Sequence, residues 1–578
     1  MNRALVPLAA LLACALLPSV LTEYQATMAG FVGIAAIVAL GLVMLTGVSG
    51  QTSFGQATFV GLAAYTTAWL TRFAGWPPLA GLAAGLAITG GTAYLLGLIT
   101  SRISGHYLPL ATIAWCASFF YLFGVIPGLG GFNGFGEIPP LFPGITRGVA
   151  AALIGGVLVC VYVLCGNLLR SRTGRAMRAL ARSRVMAESV GIDTARQARA
   201  AFVLAALLAG VAGWLFAHVQ RYVSPAPFGL DASIEYVFMV VIGGVSQLGG
   251  AVIGAAVVVV LRDQLTELLP RLLGSSGNFE TVVFSLGVIL LLQYAPRGIA
   301  PLLTRRVRPV PLPAGARLAH RDMPARGALV LEATALEKRF GGLLAAHAID
   351  LSVHAGEIVA LIGPNGAGKS TTFNLISGAM TPNAGSISLL GHDIQGQGAR
   401  ATARRGLART FQHVKLLPEA SVLDNVALGA HLRGRGGMIR SMLRLDRPQE
   451  AALLHAARIQ ANRVGLGDAL HLPAGNLPLG RQRLVEIARG LCLDPVVFLL
   501  DEPAAGLRLR EKQALATLLE ALRDEGLAIL LVEHDMDFVM GLADRVVVMD
   551  FGEKIADGRP EQVQDDRAVQ EAYLGGIA

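Results

Sequence analysis

The first 303 residues constrain the fold most strongly, because they contain apolar runs long enough to cross a lipid bilayer. A membrane-spanning helix needs about 20 predominantly apolar residues. Only 15% of the whole chain is charged, against about 25% in a typical soluble protein. Runs near the spanning length occur at 4–21, 27–48, 55–71, 78–99, 107–127, 148–168, 200–221, 233–261 and 280–296. The pattern therefore predicts an α-helical polytopic membrane domain over residues 1–303.

The centres of these apolar runs contain few charged residues. None has a charge-rich centre, and no intramembrane acidic pair marks a proton relay. The first run, within Met1–Val20, could be mistaken for a signal peptide. No clear small-residue cleavage site follows it, which favours a first membrane span.

A glycine-rich motif of the form Gly-x4-Gly-Lys-Ser/Thr marks the second half of the chain. It follows the apolar run Ile358–Ile362, a predicted buried strand, and precedes Thr371–Ser377, a predicted helix. Its glycines let backbone amides turn around a phosphate, and the helix start adds positive potential. Lys369 suits the β- and γ-phosphates and Ser370 suits Mg²⁺. The predicted ATP-binding residues are Gly363, Pro364, Asn365, Gly366, Ala367, Gly368, Lys369, Ser370 and Thr371.

Two further apolar runs, both predicted to be buried strands, end in candidate catalytic residues. Val496–Leu500 is followed by Asp501 and Glu502, and Leu527–Val532 is followed by Glu533 and His534. An aspartate at the carboxyl end of a strand beside a phosphate loop can hold Mg²⁺ through water. Glu502 is then placed to polarise an attacking water, and His534 to hold the γ-phosphate.

Two isolated residues carry weaker signals. Phe340 lies upstream of the phosphate loop, where an aromatic ring could stack on adenine; the alternative is a core aromatic. Gln412 lies in a polar connection, where its side chain could sense both Mg²⁺ and the attacking water.

An arginine-rich loop orients the predicted membrane domain. Leu169–Ala200 carries Arg170, Arg172, Arg175, Arg178, Arg182, Arg184, Arg196 and Arg199, and the positive-inside rule places such a loop in the cytoplasm. Its helix-compatible part, Ala176–Val190, is either a topology signal alone or also a short helix that docks on the ATPase. The net charge of +9 fits cytoplasmic flanks better than nucleic-acid binding.

The number of membrane crossings after the arginine-rich loop must be even. The loop and the ATPase must lie on the same side, yet three apolar runs separate them. The middle run, 233–261, contains Gly243, Gly244, Gly249, Gly250 and Gly254, and it is predicted to be a broken or re-entrant pair lining a cavity. An error in the number of spans is the competing explanation.

Two connections complete the predicted organisation. Gly128–Arg147 is placed outside, as a surface for an external partner or an ordinary loop. Thr304–Gly327 is rich in arginine and proline and is expected to be an extended linker near the anionic inner leaflet. The predicted domains are 1–303, the linker 304–327, and an α/β P-loop ATPase over 328–578.

The ordered set Phe340, Gly363–Ser370, Gln412, Leu477–Gln482, Asp501 with Glu502, and His534 resembles the ATP-binding cassette (ABC) family. The resemblance implies the adenine-stacking aromatic, Walker A, the Q-loop, the signature motif, Walker B with the catalytic glutamate, and the switch histidine. It also implies a nucleotide site shared between two cassettes, so that Leu477, Gly480 and Arg481 contact nucleotide held by a partner.

Several stretches resemble branched-chain amino acid importers more closely. In the cassette these are Ala408–Gln412, Val422–Val426 with His431, Asp501–Leu507 and Glu571–Gly575. In the membrane half they are Gly50–Gly55, Ala63–Tyr65, Gly131–Gly134, Gly174–Ala179, Glu188–Ile192, Val241–Gly244 and Ala295–Gly298. The chain thus resembles a permease fused to its ATPase. The resemblance implies a second cassette, a second permease, a periplasmic solute-binding protein and a location in the bacterial inner membrane.

The signature motif departs from the family pattern. Leu-Ser-Gly-Gly-Gln is replaced by Leu477-Pro-Leu-Gly-Arg481, so Pro478 lacks the serine hydroxyl that contacts a γ-phosphate, while Arg481 could contact phosphate instead. After Walker B, Arg508-Leu509 stands where this subgroup usually has Asn-Pro.

The expected function is ATP-driven import of a branched-chain or related amino acid. Import of urea, amides or other small organic solutes is the first alternative. An ABC exporter half-transporter and a membrane-anchored regulatory ATPase are the other two. An exporter would show about six long spans and no dependence on a binding protein.

Overall fold

The computed structural model describes residues 5–100, 107–273, 279–303 and 316–574, and the chain separates into two compact units. The first unit is formed by Met1–Arg170, Ala195–Arg308 and Met442–Arg444. The second is formed by Ser171–Thr194, Pro309–Ser441 and Leu445–Ala578. Part of the predicted linker, 304–315, lies outside the described residues.

Helices dominate the described residues before position 304. Two of them, α7 and α8, belong to the second unit. The helices are α1 (Leu5–Val20), α2 (Glu23–Leu42), α3 (Gln56–Arg72), α4 (Pro78–Thr100), α5 (Tyr107–Val125), α6 (Arg147–Leu169), α7 (Arg172–Arg182), α8 (Arg184–Ser189), α9 (Thr194–Gln220), α10 (Leu230–Gly243), α11 (Leu248–Leu273), α12 (Phe279–Tyr294) and α13 (Ala300–Leu303).

Helix α2 lies at the centre of the first unit. It is apolar on every side and is buried from Gly33 to Leu42, as expected for a helix surrounded by others. Helices α6, α10 and α11 pack on it, while α1 packs on α6 and α3 on α4. Two short strands, β1 (Phe135–Gly136) and β2 (Tyr222–Val223), pair antiparallel and tie the predicted external loop to the end of α9.

Each of the nine apolar runs is helical, but fewer of them are long enough to span a bilayer. Among the described residues six helices have the required length and hydropathy: Glu23–Val48, Pro78–Ile99, Tyr107–Val125, Arg147–Leu169, Thr194–Gln220 and Leu248–Arg271. The runs at 4–21, 55–71 and 280–296 form helices of 16 or 17 residues, about 25 Å long, against a hydrocarbon core of about 30 Å.

The run at 233–261 is broken, as its glycines predict. Helix α10 ends at Gly243 and α11 begins at Leu248, and the two form an antiparallel hairpin. A Cβ on Gly243 would lie 1.8 Å from the carbonyl oxygen of Gly250, so only glycine permits this approach. The hairpin reverses the direction of the chain within this run. It is therefore the broken pair expected from the requirement for an even number of crossings.

Helix α11 extends beyond its apolar run and brings charged residues into a helix of spanning length. It continues to Leu273, past the predicted end of the run at residue 261. Arg262, Asp263 and Glu267 therefore lie within this helix, and Arg262 forms an ion pair with Glu235 of α10. A cavity on this side of the first unit explains how a spanning helix accommodates them.

The second unit contains two sheets. One has the order β12-β11-β5-β10-β9-β8, in which β12 alone is antiparallel to its neighbour; the other is antiparallel with the order β4-β3-β6-β7. The strands are β3 (Leu329–Phe340), β4 (Leu343–His354), β5 (Ile358–Ile362), β6 (Ala384–Leu389), β7 (His392–Asp393), β8 (Leu407–Arg409), β9 (Val497–Asp501), β10 (Ala528–Val532), β11 (Arg545–Asp550) and β12 (Glu553–Gly558).

Helices flank these sheets. They are α14 (Lys369–Ile376), α15 (Ala399–Arg405), α16 (Val422–Ala427), α17 (Met438–Met442), α18 (Arg447–Arg463), α19 (Leu479–Cys492), α20 (Leu509–Asp524), α21 (Met536–Leu542), α22 (Pro560–Gln564) and α23 (Arg567–Leu574). Strands β5, β9 and β10 are buried at every residue, as expected for parallel strands covered on both faces. Their carboxyl ends meet at one edge of the sheet, where the candidate site lies.

Candidate functional site

The phosphate loop joins the end of β5 to the start of α14. Gly363, Gly366 and Gly368 have φ of +148°, +87° and +95°, conformations that side chains rarely adopt. A Cβ on Gly363 would lie 2.1 Å from the carbonyl oxygen of Met549, and one on Gly368 would lie 2.4 Å from that of Ala345. The loop backbone therefore packs closely against the neighbouring backbone at Met549 and Ala345. Helix α14 begins at Lys369, and the first amides of a helix have no partner within the helix.

Lys369 lies across the mouth of this loop. Its Nζ donates to the carbonyl oxygens of Gly363 at 2.7 Å and Pro364 at 2.8 Å. Burial lowers the pKa of Lys369, while the nearby charge of Glu502 acts in the opposite direction. Ser370 and Asn365 are exposed, Ala367 is buried, and Pro364 and Thr371 are half-buried.

Asp501 ends β9 at the same edge of the sheet. Its backbone N–H donates to the Thr410 hydroxyl at 3.0 Å, and its carboxylate lies 3.6 Å from the Arg409 guanidinium. Burial raises the pKa of Asp501, and Arg409 partly opposes the shift. Arg409 is itself held between the rings of Phe373 and Phe411, at 5.1 and 5.2 Å.

Glu502 adopts a left-handed backbone with φ of +47°, which is uncommon for a residue with a side chain. Its N–H donates to the carbonyl oxygen of Val532 at 2.9 Å, which ties the turn after β9 to the end of β10. Its Oε1 accepts a hydrogen bond from Gln412 at 3.3 Å. The structure thus brings together Gln412 and Glu502, which are 90 residues apart in sequence.

His534 follows β10, and its side chain is 67% exposed. The residue before it, Glu533, is 1% exposed and accepts hydrogen bonds from the N–H groups of Ala504 at 2.7 Å and His534 at 3.1 Å. Burial raises the pKa of Glu533, while these two hydrogen bonds act in the opposite direction. Glu533 therefore joins the loop after Glu502 to the loop that presents His534.

Phe340 ends β3 and is 46% exposed. The Nζ of Lys338 lies 5.5 Å from the centre of its ring. The alternative prediction, that Phe340 is a core aromatic, is therefore wrong, because almost half of the residue is exposed. The C-terminal helix lies near the phosphate loop: burial raises the pKa of Tyr573, and the backbone of Gly363 acts in the opposite direction.

The signature stretch lies at the start of α19. Leu477 is buried and accepts a hydrogen bond at its carbonyl from Gln482, and Pro478 is the residue before the helix. A Cβ on Gly480 would lie 2.9 Å from the side chain of Leu507. Arg481 pairs with Asp468. Both partners are exposed to solvent, which weakens the pair and leaves Arg481 able to exchange partners.

Helices α7 and α8, from the arginine-rich loop, pack within the second unit. Buried residues of the two helices, including Ala179 and Met186, form one apolar cluster with Phe411, Leu417 and Leu428. This confirms the docking helix expected at Ala176–Val190, although Ser183 divides it into two helices and caps the second.

Arg175 of α7 is the most deeply buried charge in this contact, with 2% of its side chain exposed. Its Nη1 pairs with Glu450 of α18 and lies 3.6 Å from Asp424 of α16. The backbone N–H of Arg172 donates to the second oxygen of Glu450 at 3.1 Å, and its guanidinium donates to the carbonyl oxygens of His431 and Gly436 at 2.6 Å.

Sequence reasoning missed Arg409, Thr410, Glu533, Arg175 and Glu450 as parts of this arrangement. Glu533 had a usable signal, because it is an acid directly after a buried strand at the catalytic edge. The others depend on contacts between residues far apart in sequence.

The donor set at the edge of the sheet fits magnesium. Ser370, Gln412 and Asp501 supply a hydroxyl, an amide and a carboxylate, which are the hard oxygen ligands that Mg²⁺ prefers. Among the described residues no cluster of three or more histidine, cysteine or acidic side chains is positioned to hold a metal.

Comparisons with known proteins match both parts of the chain. A family model described as "Branched-chain amino acid transport system / permease component" matches residues 25–292. An "ABC transporter" model matches 346–505, and a "Branched-chain amino acid ATP-binding cassette transporter" model matches 553–578.

Curated relatives match the cassette. The high-affinity branched-chain amino acid transport ATP-binding protein LivG of Escherichia coli K12 is 41% identical over 249 residues, which are 43% of this chain and 98% of that protein. BraF of Pseudomonas aeruginosa, with the same description, is 40% identical over 250 residues and the same shares. A crystal structure of a nucleotide-free ATP-binding cassette from an ABC transporter is 29% identical, covers 42% of this chain and 98% of that one, and has a TM-score of 0.39.

The P-loop, the acids at the strand ends and the matched models define an ATP-hydrolysing nucleotide-binding cassette on a membrane protein. The chain belongs to the ABC transporter family, as a permease of the branched-chain amino acid transport type followed on the same polypeptide by an ABC ATPase.

Proposed function

We propose that this chain is a subunit of a binding-protein-dependent importer that uses ATP to drive branched-chain or related amino acids across the bacterial inner membrane. One observation carries the proposal: a permease segment and a cassette, each matching a branched-chain amino acid transport model, lie on one polypeptide. We assign residues 1–303 to the permease, 304–327 to the linker and 328–578 to the cassette.

In the proposed hydrolysis, Glu502 accepts a proton from the attacking water, and Gln412, which contacts Glu502, positions that water. Lys369 leaves its loop carbonyls to contact the β- and γ-phosphates. His534, exposed at the end of β10, contacts the γ-phosphate. Phe340 stacks on adenine. Mg²⁺, when bound by Ser370, Gln412 and Asp501, neutralises charge that develops on the phosphates.

We also propose that a second cassette and a second permease complete the transporter. The signature residues Leu477, Gly480 and Arg481 then face nucleotide bound to the partner cassette, with the N-terminal amides of α19 replacing the missing serine hydroxyl. Leu479 and Leu509, beside the signature, are 54% and 72% exposed. Burial against a partner explains such apolar exposure.

The proposed topology places the cassette in the cytoplasm and the binding protein in the periplasm. The arginines of the α7–α8 segment support this orientation, because positively charged loops are retained in the cytoplasm. Gly128–Arg147 is then a candidate contact for the binding protein.

The test uses the assembled complex in proteoliposomes, with a leucine-loaded binding protein outside. Glu502→Gln should reduce ATP hydrolysis and leucine accumulation at least a hundredfold while nucleotide still binds, because only the proton acceptor is removed. Glu561→Gln changes an exposed acid of α22 and should alter neither activity.

Different outcomes separate the alternatives. Near-normal turnover by Glu502→Gln would refute its assigned role. Leucine-insensitive hydrolysis with no accumulation of solute would favour a regulatory ATPase, and efflux without a binding protein would favour an exporter. Accumulation of urea or amides in place of leucine would move the substrate to that class.

A further inference from the structure

The first unit contains a cavity of about 630 Å³ between α2, α9, α10 and α11. Ligand sites for small molecules commonly range from about 300 to 1,000 Å³. One wall comes from the broken helix pair α10–α11, whose irregular backbone is tolerated at membrane depth where it lines a cavity. The hydrolytic site lies in the other unit, so this cavity has no part in ATP chemistry.

Charges of both signs line the cavity beside mostly apolar side chains. Arg262 pairs with Glu235, the Tyr24 hydroxyl donates to Asp263, and Glu267 lies one helical turn further along α11. Arg262 lies about 21 Å from the start of α11 by helical rise, inside the span Leu248–Arg271. Ionisable groups inside a span are costly and usually serve a substrate or ion.

The rest of the cavity lining is mostly apolar. Ile34, Phe228, Met239 and Val258 line the cavity and are each at most 3% exposed. The cavity thus offers one cation, several carboxylates and a well-packed hydrocarbon surface. A free amino acid with a branched aliphatic side chain has the complementary arrangement: a carboxylate and an ammonium at one end and hydrocarbon at the other.

We propose that this cavity is the permease site for the transported amino acid. Arg262 binds the substrate carboxylate, Asp263 and Glu267 bind the ammonium, and the hydrocarbon side chain packs on Ile34, Phe228 and Met239. In the empty state Glu235 and the Tyr24 hydroxyl hold Arg262 and Asp263 in position. The assignment rests on the proposed import of amino acids and names the groups that recognise them.

The test measures equilibrium binding to the assembled complex in nanodiscs without the binding protein, so that selectivity of the latter plays no part. The ligands are leucine, leucinamide, which lacks the carboxylate, and 4-methylvalerate, which lacks the ammonium. Arg262→Gln should weaken leucine binding at least tenfold and leave leucinamide unchanged. Asp263→Asn should weaken leucine binding and leave 4-methylvalerate unchanged.

A labelling experiment guards against variants that fail to assemble. Thr266 lines the cavity and is exposed, so Thr266→Cys should react with a small maleimide, and leucine should slow this reaction at least fivefold. Thr517→Cys, at an exposed position of α20 in the cassette, should react at a rate that leucine does not change.

Several results would overturn the proposal. These are no leucine binding to the wild-type complex, equal leucine affinity in Arg262→Gln, and a Thr266→Cys thiol that never reacts because a second permease or lipid fills the cavity. If wild-type proteoliposomes still accumulate leucine with the binding protein, those results refute only the assignment of the cavity as the substrate site. Absence of that accumulation refutes the proposed function itself.

Discussion

Glu450 is the residue on which docking of the α7–α8 segment depends most directly. Each of its carboxylate oxygens accepts from a donor of that segment: one from the Arg175 guanidinium and one from the Arg172 N–H. Glu450→Gln keeps the size of the side chain but replaces one acceptor with an NH₂ group. Whichever way the amide turns, a donor then faces a donor.

The magnitude follows from the burial of Arg175. Burial opposes the charged form of Arg175, yet Glu450 and Asp424 together hold the pKa of its guanidinium above the ordinary value. Removing one partner of a buried ion pair costs about 3–5 kcal/mol. Asp424 remains at 3.6 Å, so we expect the lower end, about 3 kcal/mol, which weakens docking roughly a hundredfold.

The assay is hydrogen–deuterium exchange in the full complex. Amides of 172–189 should exchange up to about a hundredfold faster in Glu450→Gln, ATP affinity should stay within twofold, and stimulation of hydrolysis by the leucine-loaded binding protein should be lost. The matched control is Glu525→Gln, whose partner Arg463 lies at the surface and where about 0–1 kcal/mol is expected. Unchanged exchange in 172–189, or unchanged stimulation, would refute the reasoning.

Two further predictions concern the cassette. Burial and the charges of Arg172, Arg175 and Arg400 lower the pKa of His431 to about 3, so the unfolded chain takes up a proton that the folded chain does not. Stability should therefore fall by about 1.4 kcal/mol per pH unit below pH 6.5, and His431→Gln should remove that slope from melting curves recorded between pH 5 and 7. Gly368→Ala should abolish ATP binding, because a Cβ would lie 2.4 Å from a carbonyl oxygen. Gly366 has open space around it, so Gly366→Ala should lose only about 1–2 kcal/mol of binding free energy through its positive φ. Equal losses of affinity in a nucleotide-binding titration would contradict this prediction.

The strands of the cassette could be predicted from sequence because they are continuous apolar runs. Ile358–Ile362 forms β5 without change. Strand β9 is shifted by one residue at both ends relative to the prediction, and β10 begins one residue later than predicted. The phosphate loop and the acids after β9 followed from local pattern in the same way. Their proximity is indicated by the charge of Glu502, which acts on the pKa of Lys369 in the phosphate loop.

The permease was harder to predict for a physical reason. Apolar composition shows where helices lie, but it does not show which polar residues an interior can tolerate. The run ending at residue 261 stopped at Arg262, whereas the helix continues because Glu235 and the cavity accommodate that charge. Similarly, eight arginines between Leu169 and Ala200 indicate a topology but do not reveal that Arg175 is buried, because its partners Asp424 and Glu450 lie more than 240 residues further along the chain.

A continuous set of contacts joins the docked segment to the hydrolytic residues. Helices α7 and α8 share an apolar cluster with Phe411, and the next residue, Gln412, contacts Glu502. Arg483 of α19 donates to the carbonyl oxygens of Phe411 at 2.7 Å and Gln412 at 2.5 Å, so the helix that carries the signature holds the same loop. Movement of the signature helix or of the docked segment must therefore displace Gln412 from Glu502 or deform a buried cluster. Because well-packed interiors resist deformation, we expect such movement to displace Gln412 from Glu502 rather than to deform the cluster.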